Sequence, residues 1–379
     1  MNGRERLLTV LGGEIPDRVP VSFFVQQDFL STLYPGREID RVVDAVECAK
    51  HFGFDSIPRP NNLWEPYFFV KSYPNWDLDL KTYSENGMIY KVFSVRTPER
   101  TLRQVESGPY KELNSSAVHL QTIEFLIKDE LDFEAFSKYV PSIDSDTVKG
   151  IGEYCAWANG IVGEYGIISP WGIASVFNFA TKLRDMSKVM MDAYIDPDFY
   201  AAYMSKLTEI IIEQDREIAL ATKDMMGIQG NIANSGLTGK QYFDEYILPY
   251  EKKVVDAIRE TGCHALYHNC GRAKVLQKSY IDLGISAWET VADEPIGDSE
   301  LSDAKKNIGD RITLIGNLDQ VNFIKVASVG QVQAKTEELV AAGKPGGRYI
   351  FSCADYLEIG TPFENVEAII RTVKSAGAY

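Results

Sequence analysis

Apolar positions along the chain fall into short runs bounded by turn residues, and eight of these runs read as strands. They lie near Val19–Val25, Phe54–Pro58, Ile161–Ser169, Met225–Gly230, Cys263–Cys270, Ile285–Thr290, Ile312–Asn317 and Tyr349–Cys353. From the fourth run onward, strands alternate strictly with helical patterns. Gly239–Glu260 is the clearest helix, and Ala273–Leu283, Leu301–Asn307, Val329–Ala342 and Pro362–Ser375 continue the alternation. Asp196–Thr222 reads as a long amphipathic helix leading into the fourth run. Alternation of this kind pairs strands in parallel through crossover helices, and eight repeats predict an α/β fold, a (β/α)8 TIM barrel. Met88–Val95 and Thr101–Val105 instead alternate polar with apolar residues, which predicts a hairpin. That hairpin belongs to an N-terminal insertion over about residues 61–137, of the kind that builds walls around a barrel mouth. No Pro- or Ser-rich linker divides the chain, so residues 1–379 read as a single domain.

Composition narrows the class without naming a chemistry. Hydrophobic residues make up 45% of the chain and charged residues 25%, which suits a globular protein. No apolar run is long enough to span a bilayer, and MNGRERLL lacks the apolar core of a secretory signal, so the expected compartment is the cytoplasm. A net charge of −15 argues against a nucleic-acid surface, which needs clustered Lys and Arg. The cysteines, Cys48, Cys155, Cys263, Cys270 and Cys353, are odd in number and sparse. Reduced thiols free to bind metal are therefore expected rather than a disulfide framework.

The stretch Cys263-His-Ala-Leu-Tyr-His-Asn-Cys-Gly271 carries the clearest chemistry. Alternate residues of a strand share a face, so His264, Leu266, His268 and Cys270 point together. His268 and Cys270 fall at the C-terminal end, where barrel active sites lie. His264 sits roughly 13 Å down the strand at about 3.3 Å per residue, too far to join them, and reads as a barrel-interior residue. Cys353 closes the eighth run, Tyr349-Ile-Phe-Ser-Cys353, and is a second-strand candidate for the same centre. An imidazole and two thiolates would make a three-ligand zinc site with one open position, a catalytic rather than a structural pattern. Cys48, Cys155 and Cys263 fit the core. The segment Gly343-Lys-Pro-Gly-Gly347 precedes a strand rather than a helix and reads as a turn, not a phosphate loop.

Several further stretches carry a family resemblance in their order and spacing. They are Asp17-Arg-Val-Pro20, Ile168-Ser-Pro-Trp-Gly-Ile-Ala-Ser175, Phe243-Asp-Glu-Tyr-Ile-Leu-Pro-Tyr250, Leu314-Ile-Gly-Asn-Leu-Asp319 and Gly360-Thr-Pro-Phe-Glu-Asn365. Over nearly its full length the chain resembles the uroporphyrinogen decarboxylase superfamily. The decarboxylases' arginine-rich motif is missing after the first run, where the chain reads Phe24-Val-Gln-Gln-Asp-Phe-Leu30, and their histidine before the final Thr-Pro is missing too. A polycarboxylate substrate would lack the cations that hold it. The branch resembling methylcobalamin:coenzyme M methyltransferases uses a His-x-Cys pair and a distant Cys to hold zinc, which His268, Cys270 and Cys353 match.

That resemblance implies methyl transfer between a corrinoid and a zinc-activated small substrate. The substrate is a thiol such as coenzyme M, or a methoxy, methylthio or methylamine compound, and the direction of transfer stays open. None of the four histidines carries a corrinoid-binding Asp-x-His-x-x-Gly signature, so the corrinoid is expected on a separate partner protein. Glu289 ends the sixth run and Asp319 follows the seventh, each read either as a catalytic proton acceptor or zinc-linked carboxylate or as a loop cap. Asn231, Asn234 and Asn317 are candidates for contact with the cofactor or substrate. The aromatics Trp64, Tyr67, Phe68, Phe69, Tyr73 and Trp76 read either as pocket lining for an aryl methyl ether or as core. A tetrapyrrole decarboxylase and a non-catalytic corrinoid-binding protein remain the competing readings.

Overall fold

The computed structural model describes residues 1–60, 63, 65–109 and 120–379. The alternating stretches of the insertion do pair, and they recruit two neighbours. Strands β1 (Asp77–Glu85), β2 (Met88–Arg96), β3 (Thr101–Pro109) and β4 (Gln121–Glu124) form an antiparallel sheet in sequential order. β1 is largely exposed, whereas β3 is largely buried and faces the rest of the molecule. The aromatic residues that lead into this sheet are core. Phe68, Phe69 and Trp76 are buried and stack edge-on or tilted against Phe93, Phe136 and Phe179. Of the aromatics considered as pocket lining, Trp64 lies outside the described residues.

The second sheet is parallel and runs β5 (Met225–Gln229), β6 (His264–His268), β7 (Ala287–Ala292), β8 (Thr313–Leu318) and β9 (Tyr349–Cys353), again in sequential order. Every residue of β7, β8 and β9 is buried, as expected where helices cover one face and a core fills the other. The expected helices intervene, each within a residue or two of its predicted bounds. The Gly239–Glu260 pattern is one continuous helical stretch with a π-helical turn at Phe243–Ile247. Among the described residues, no helix is long and apolar enough to cross a membrane.

The first three of the eight expected strands are not regular strands. Val19–Val25 and Phe54–Pro58 are extended segments held by isolated parallel bridges, Val21 to Phe351 and Ser56 to Gly166. Ile161–Ser169 begins as the end of the helix Ser145–Val162 and becomes extended only from Gly166. The backbone bonds nevertheless run on from β9. Ser22 N–H donates to Phe351 O (3.0 Å), Asp55 N–H to Val21 O (2.7 Å), Ile167 N–H to Ser56 O (3.1 Å) and Gly227 N–H to Pro170 O (2.9 Å). They lead through the three extended segments to β5, the other edge of the parallel sheet. One apolar cluster draws a residue from each of seven successive segments: Ile57, Ile167, Met225, Leu266, Ala287, Ile315 and Ile350. Leu7, Val10 and Leu11 of the helix Gly3–Gly12 pack onto the same cluster. Side chains at the C-terminal strand ends are thereby gathered at the opposite mouth.

Candidate metal centre

Three donor groups converge at that mouth. His268, the last residue of β6, Cys270 just beyond it, and Asp355 in the loop after β9 place their ligand atoms within 4.8 Å of one another. Among the described residues this is the one group of three His, Cys, Asp or Glu side chains that meet so closely. The parity of β6 and the break at Gly271, with φ of 96°, bring His268 and Cys270 together as the sequence suggested. The third member of this group is Asp355, and Cys353, the expected third ligand, is not among its members. Cys353 is the last residue of β9 and is packed into the apolar core, 2% exposed, while the bend that follows returns Asp355 to the cluster. Burial, with Asp355 and Asp319 nearby, pushes the Cys353 thiol well above its ordinary range.

Behind His268 stands a buried ion chain. Glu289, in β7 and paired in register with His268, accepts from Nδ1 at 3.0 Å through Oε2, and Arg59 donates to its Oε1 at 2.5 Å. Burial alone would raise the Glu289 carboxyl, but Arg59 and His268 hold it below its ordinary value. Burial opposes charge on His268, yet hydrogen bonds to Cys270 and Glu289 and the charge of Asp355 outweigh it and raise the imidazole to about 10. Burial and the charge of Glu289 raise Asp355 against the pull of His268. Aromatic rings close the wall. Trp171 and Phe24 meet the His268 ring edge-on, at 5.4 and 6.3 Å between centroids, and Tyr356 packs on Phe24. The Arg59 guanidinium lies over both Trp171 and Phe24, at 5.1 and 5.6 Å. Arg59, Phe24, Trp171 and Asp355 were not singled out from the sequence; the flanking Pro58 and Pro60 were the one local hint that Arg59 is held rigidly.

The other expected site residues lie apart from this cluster. Asp319 caps the turn after β8, its Oδ1 accepting from Val321 N–H (2.8 Å) and Asn322 N–H (2.7 Å). Asn317 donates to Ser299 O at 3.3 Å, and Asn317 and Asp319 border a separate cavity of about 420 Å3. Asn234 organises its own loop, donating to Asn231 O (2.8 Å) and accepting from Gly236 N–H (2.9 Å). Asn231 accepts from Asn178 and lines a cavity of about 790 Å3 between the antiparallel sheet and the end of β5. That cavity reaches Gln229, which is paired in register with His268. His268, Cys270 and Asp355 themselves do not line it.

Comparison with known proteins agrees with this architecture. The uroporphyrinogen decarboxylase (URO-D) family profile matches residues 165–376. A uroporphyrinogen decarboxylase of Anaeromyxobacter dehalogenans is 24% identical over 58% of this chain and 58% of its own length. A methylated-thiol–coenzyme M methyltransferase of Methanosarcina mazei is 23% identical over 53% of this chain and 52% of its own. The chain thus spans little more than half the length of these curated relatives. A solved methyltransferase structure from Methanosarcina mazei superposes with a TM-score of 0.69 over 99% of both chains at 17% identity, which establishes a shared fold. The family profile spans β5 to β9, the strands that carry His268, Glu289 and Cys353, and on that match the chain belongs to the uroporphyrinogen decarboxylase family.

Proposed function

We propose that this protein is a zinc-dependent methyltransferase that moves a methyl group between a corrinoid carried by a separate partner protein and a small substrate. The observation that carries the reading is the His268–Cys270–Asp355 group with Glu289 behind the histidine. Nitrogen, sulfur and carboxylate oxygen are the donors zinc takes, and three of them leave a fourth position for substrate. Zinc bound there supplies Lewis acidity, lowering the proton affinity of a substrate thiol or polarising a methylated heteroatom. Glu289 engages Nδ1 and leaves Nε2 as the metal-facing nitrogen, the carboxylate–histidine arrangement that orients metal ligands. Arg59 keeps Glu289 ionised and, caught between Trp171 and Phe24, fixes its position. Those rings and Tyr356 exclude water from one side of the cluster and offer a methyl group an apolar neighbour. The cavity at Gln229 is of the size that holds a small molecule, and the substrate enters there.

The thiol substrate is favoured by the name of the Methanosarcina mazei relative and by the thiolate of Cys270. Methoxy, methylthio and methylamine compounds are the alternatives for the opposite direction. The Anaeromyxobacter dehalogenans relative raises a second reading, decarboxylation of a tetrapyrrole. It needs several cations for a polycarboxylate, whereas Arg59 at this site is already paired with Glu289.

The test joins metal analysis to a methyl-transfer assay. One zinc per chain is expected, lost in His268→Ala, Cys270→Ser and Asp355→Asn and kept in Cys353→Ser; zinc lost in Cys353→Ser and kept in Asp355→Asn would restore the ligand set expected from sequence. Methylcobalamin is expected to lose its methyl group to a thiol from a panel, followed by cobalt absorbance, with cob(I)alamin and methoxyaromatics as the reverse arm. Metal-free protein with undiminished transfer, or porphyrinogen decarboxylation without metal, would remove the reading.

A further inference from the structure

The end of the parallel sheet away from the metal centre carries another cavity, of about 300 Å3. His264, the first residue of β6, Arg348, just before β9, and Arg259 and Arg311 line it. Such a gathering is unexpected in a chain of net charge −15. Arg216, Arg259, Arg272, Arg311 and Arg348 make no ion pair among the described residues, and three of these five border this one cavity. Guanidinium groups brought together repel one another, and with no carboxylate paired to them among the described residues their convergence favours a bound anion.

The cations are also held in place. Arg259 Nη1 donates to Gly284 O at 3.0 Å. Arg348 lies against the bare backbone of Gly13, where a Cβ would meet its Nη2 at 2.0 Å. Lys305 donates to Gly347 O and so pins the turn that presents Arg348. Burial, then Arg259, and also Arg348, depress the His264 imidazole against the opposing charge of Asp224, which reports a positive potential in the cavity.

We propose that this cavity binds a small phosphorylated metabolite through its phosphoryl oxygens, with Arg259, Arg311 and Arg348 as the anchoring cations. Guanidinium groups from one helix and two separate turns match the several oxygens of a phosphoryl or pyrophosphoryl group better than the two of a carboxylate. The volume is at the lower end of small-molecule sites. The site is independent of the methyl-transfer reading, since His264 and His268 are four residues apart, about 13 Å along the strand.

Calorimetric titration of the full chain with inorganic pyrophosphate, with succinate as the dicarboxylate control, tests the proposal. Saturable binding of one pyrophosphate per chain is expected, weakened at least ~10-fold in Arg348→Gln and in Arg311→Gln, and tighter than succinate. Arg311 is exposed, so its replacement leaves the fold intact as judged by circular dichroism. Because pyrophosphate also chelates zinc, the titration is repeated on His268→Ala, where binding must persist. No saturable binding up to about 5 mM, affinity unchanged in both arginine variants, loss of binding in His268→Ala, or preference for succinate would each overturn the assignment.

Discussion

Replacing Glu289 by Gln keeps the shape of the side chain but removes the charge that faces both Arg59 and His268. Arg59 then loses the charge of its Glu289 partner, and breaking such a buried pair costs about 3–5 kcal/mol. Glu289→Gln is therefore expected to melt several degrees lower and to bind zinc roughly 10–100-fold more weakly in a chelator competition. An unchanged zinc affinity would mean that Glu289 does not orient the histidine. Asp215 offers a cleaner pH experiment. It is fully buried, accepts one bond from Ile173 N–H at 3.0 Å, and burial raises its carboxyl to about 8. A carboxyl raised on folding stabilises at low pH, and that contribution is lost as pH climbs from the ordinary range near 3.8 to about 8. The slope in that window is at most about 1.4 kcal/mol per pH unit. Asp215→Asn keeps an acceptor for Ile173, so its melting temperature is expected to gain on wild type between pH 5 and pH 8; parallel curves would show that Asp215 does not titrate there. Asp355 marks the limit of what parity makes legible at the residue scale. Parity carries a side-chain direction only as far as the strand lasts, and β9 stops at Cys353. Which way the next loop bends is set by tertiary contacts such as Ala354 N–H to Leu318 O.

At the scale of elements, β5 to β9 and their helices were legible because each is either buried on both faces or amphipathic over ten residues or so. The stretch near Ile161 misled for a physical reason. Ile151, Cys155, Ala158 and Val162 are buried at helical spacing, and the extended segment that carries buried Ile167 and Ile168 begins only a few residues later. Only the short exposed turn Gly163–Tyr165 separates the two periods, and it is too brief to mark a boundary between elements. Contacts between elements are where Trp171 is fixed. Its ring covers Gly227 in β5, where a Cβ would lie 2.4 Å from a ring carbon. Gly227→Ala must therefore push the indole out of the wall beside His268. Zinc content is expected to be retained while methyl transfer falls and the near-ultraviolet circular dichroism of tryptophan changes. Transfer at the wild-type rate would show that the wall does not shape the site.

At the scale of the whole molecule, the proposed zinc would be a ligand of the folded chain alone, so removing it should cost stability by mass action. Free zinc at 100-fold over its dissociation constant contributes about 2.7 kcal/mol, and a chelator should lower the melting temperature of wild type but leave His268→Ala unchanged. Equal sensitivity of both proteins would place the metal elsewhere. The bond from Arg59 to Glu289 spans 230 positions of sequence, and Asp355 lies further on still. Contacts so distant close only after most of the intervening chain has condensed. The metal centre is thus a late event in the life of the molecule. A chain still emerging from the ribosome holds no complete donor group, so the proposed metal could load only once the C-terminal strands have docked.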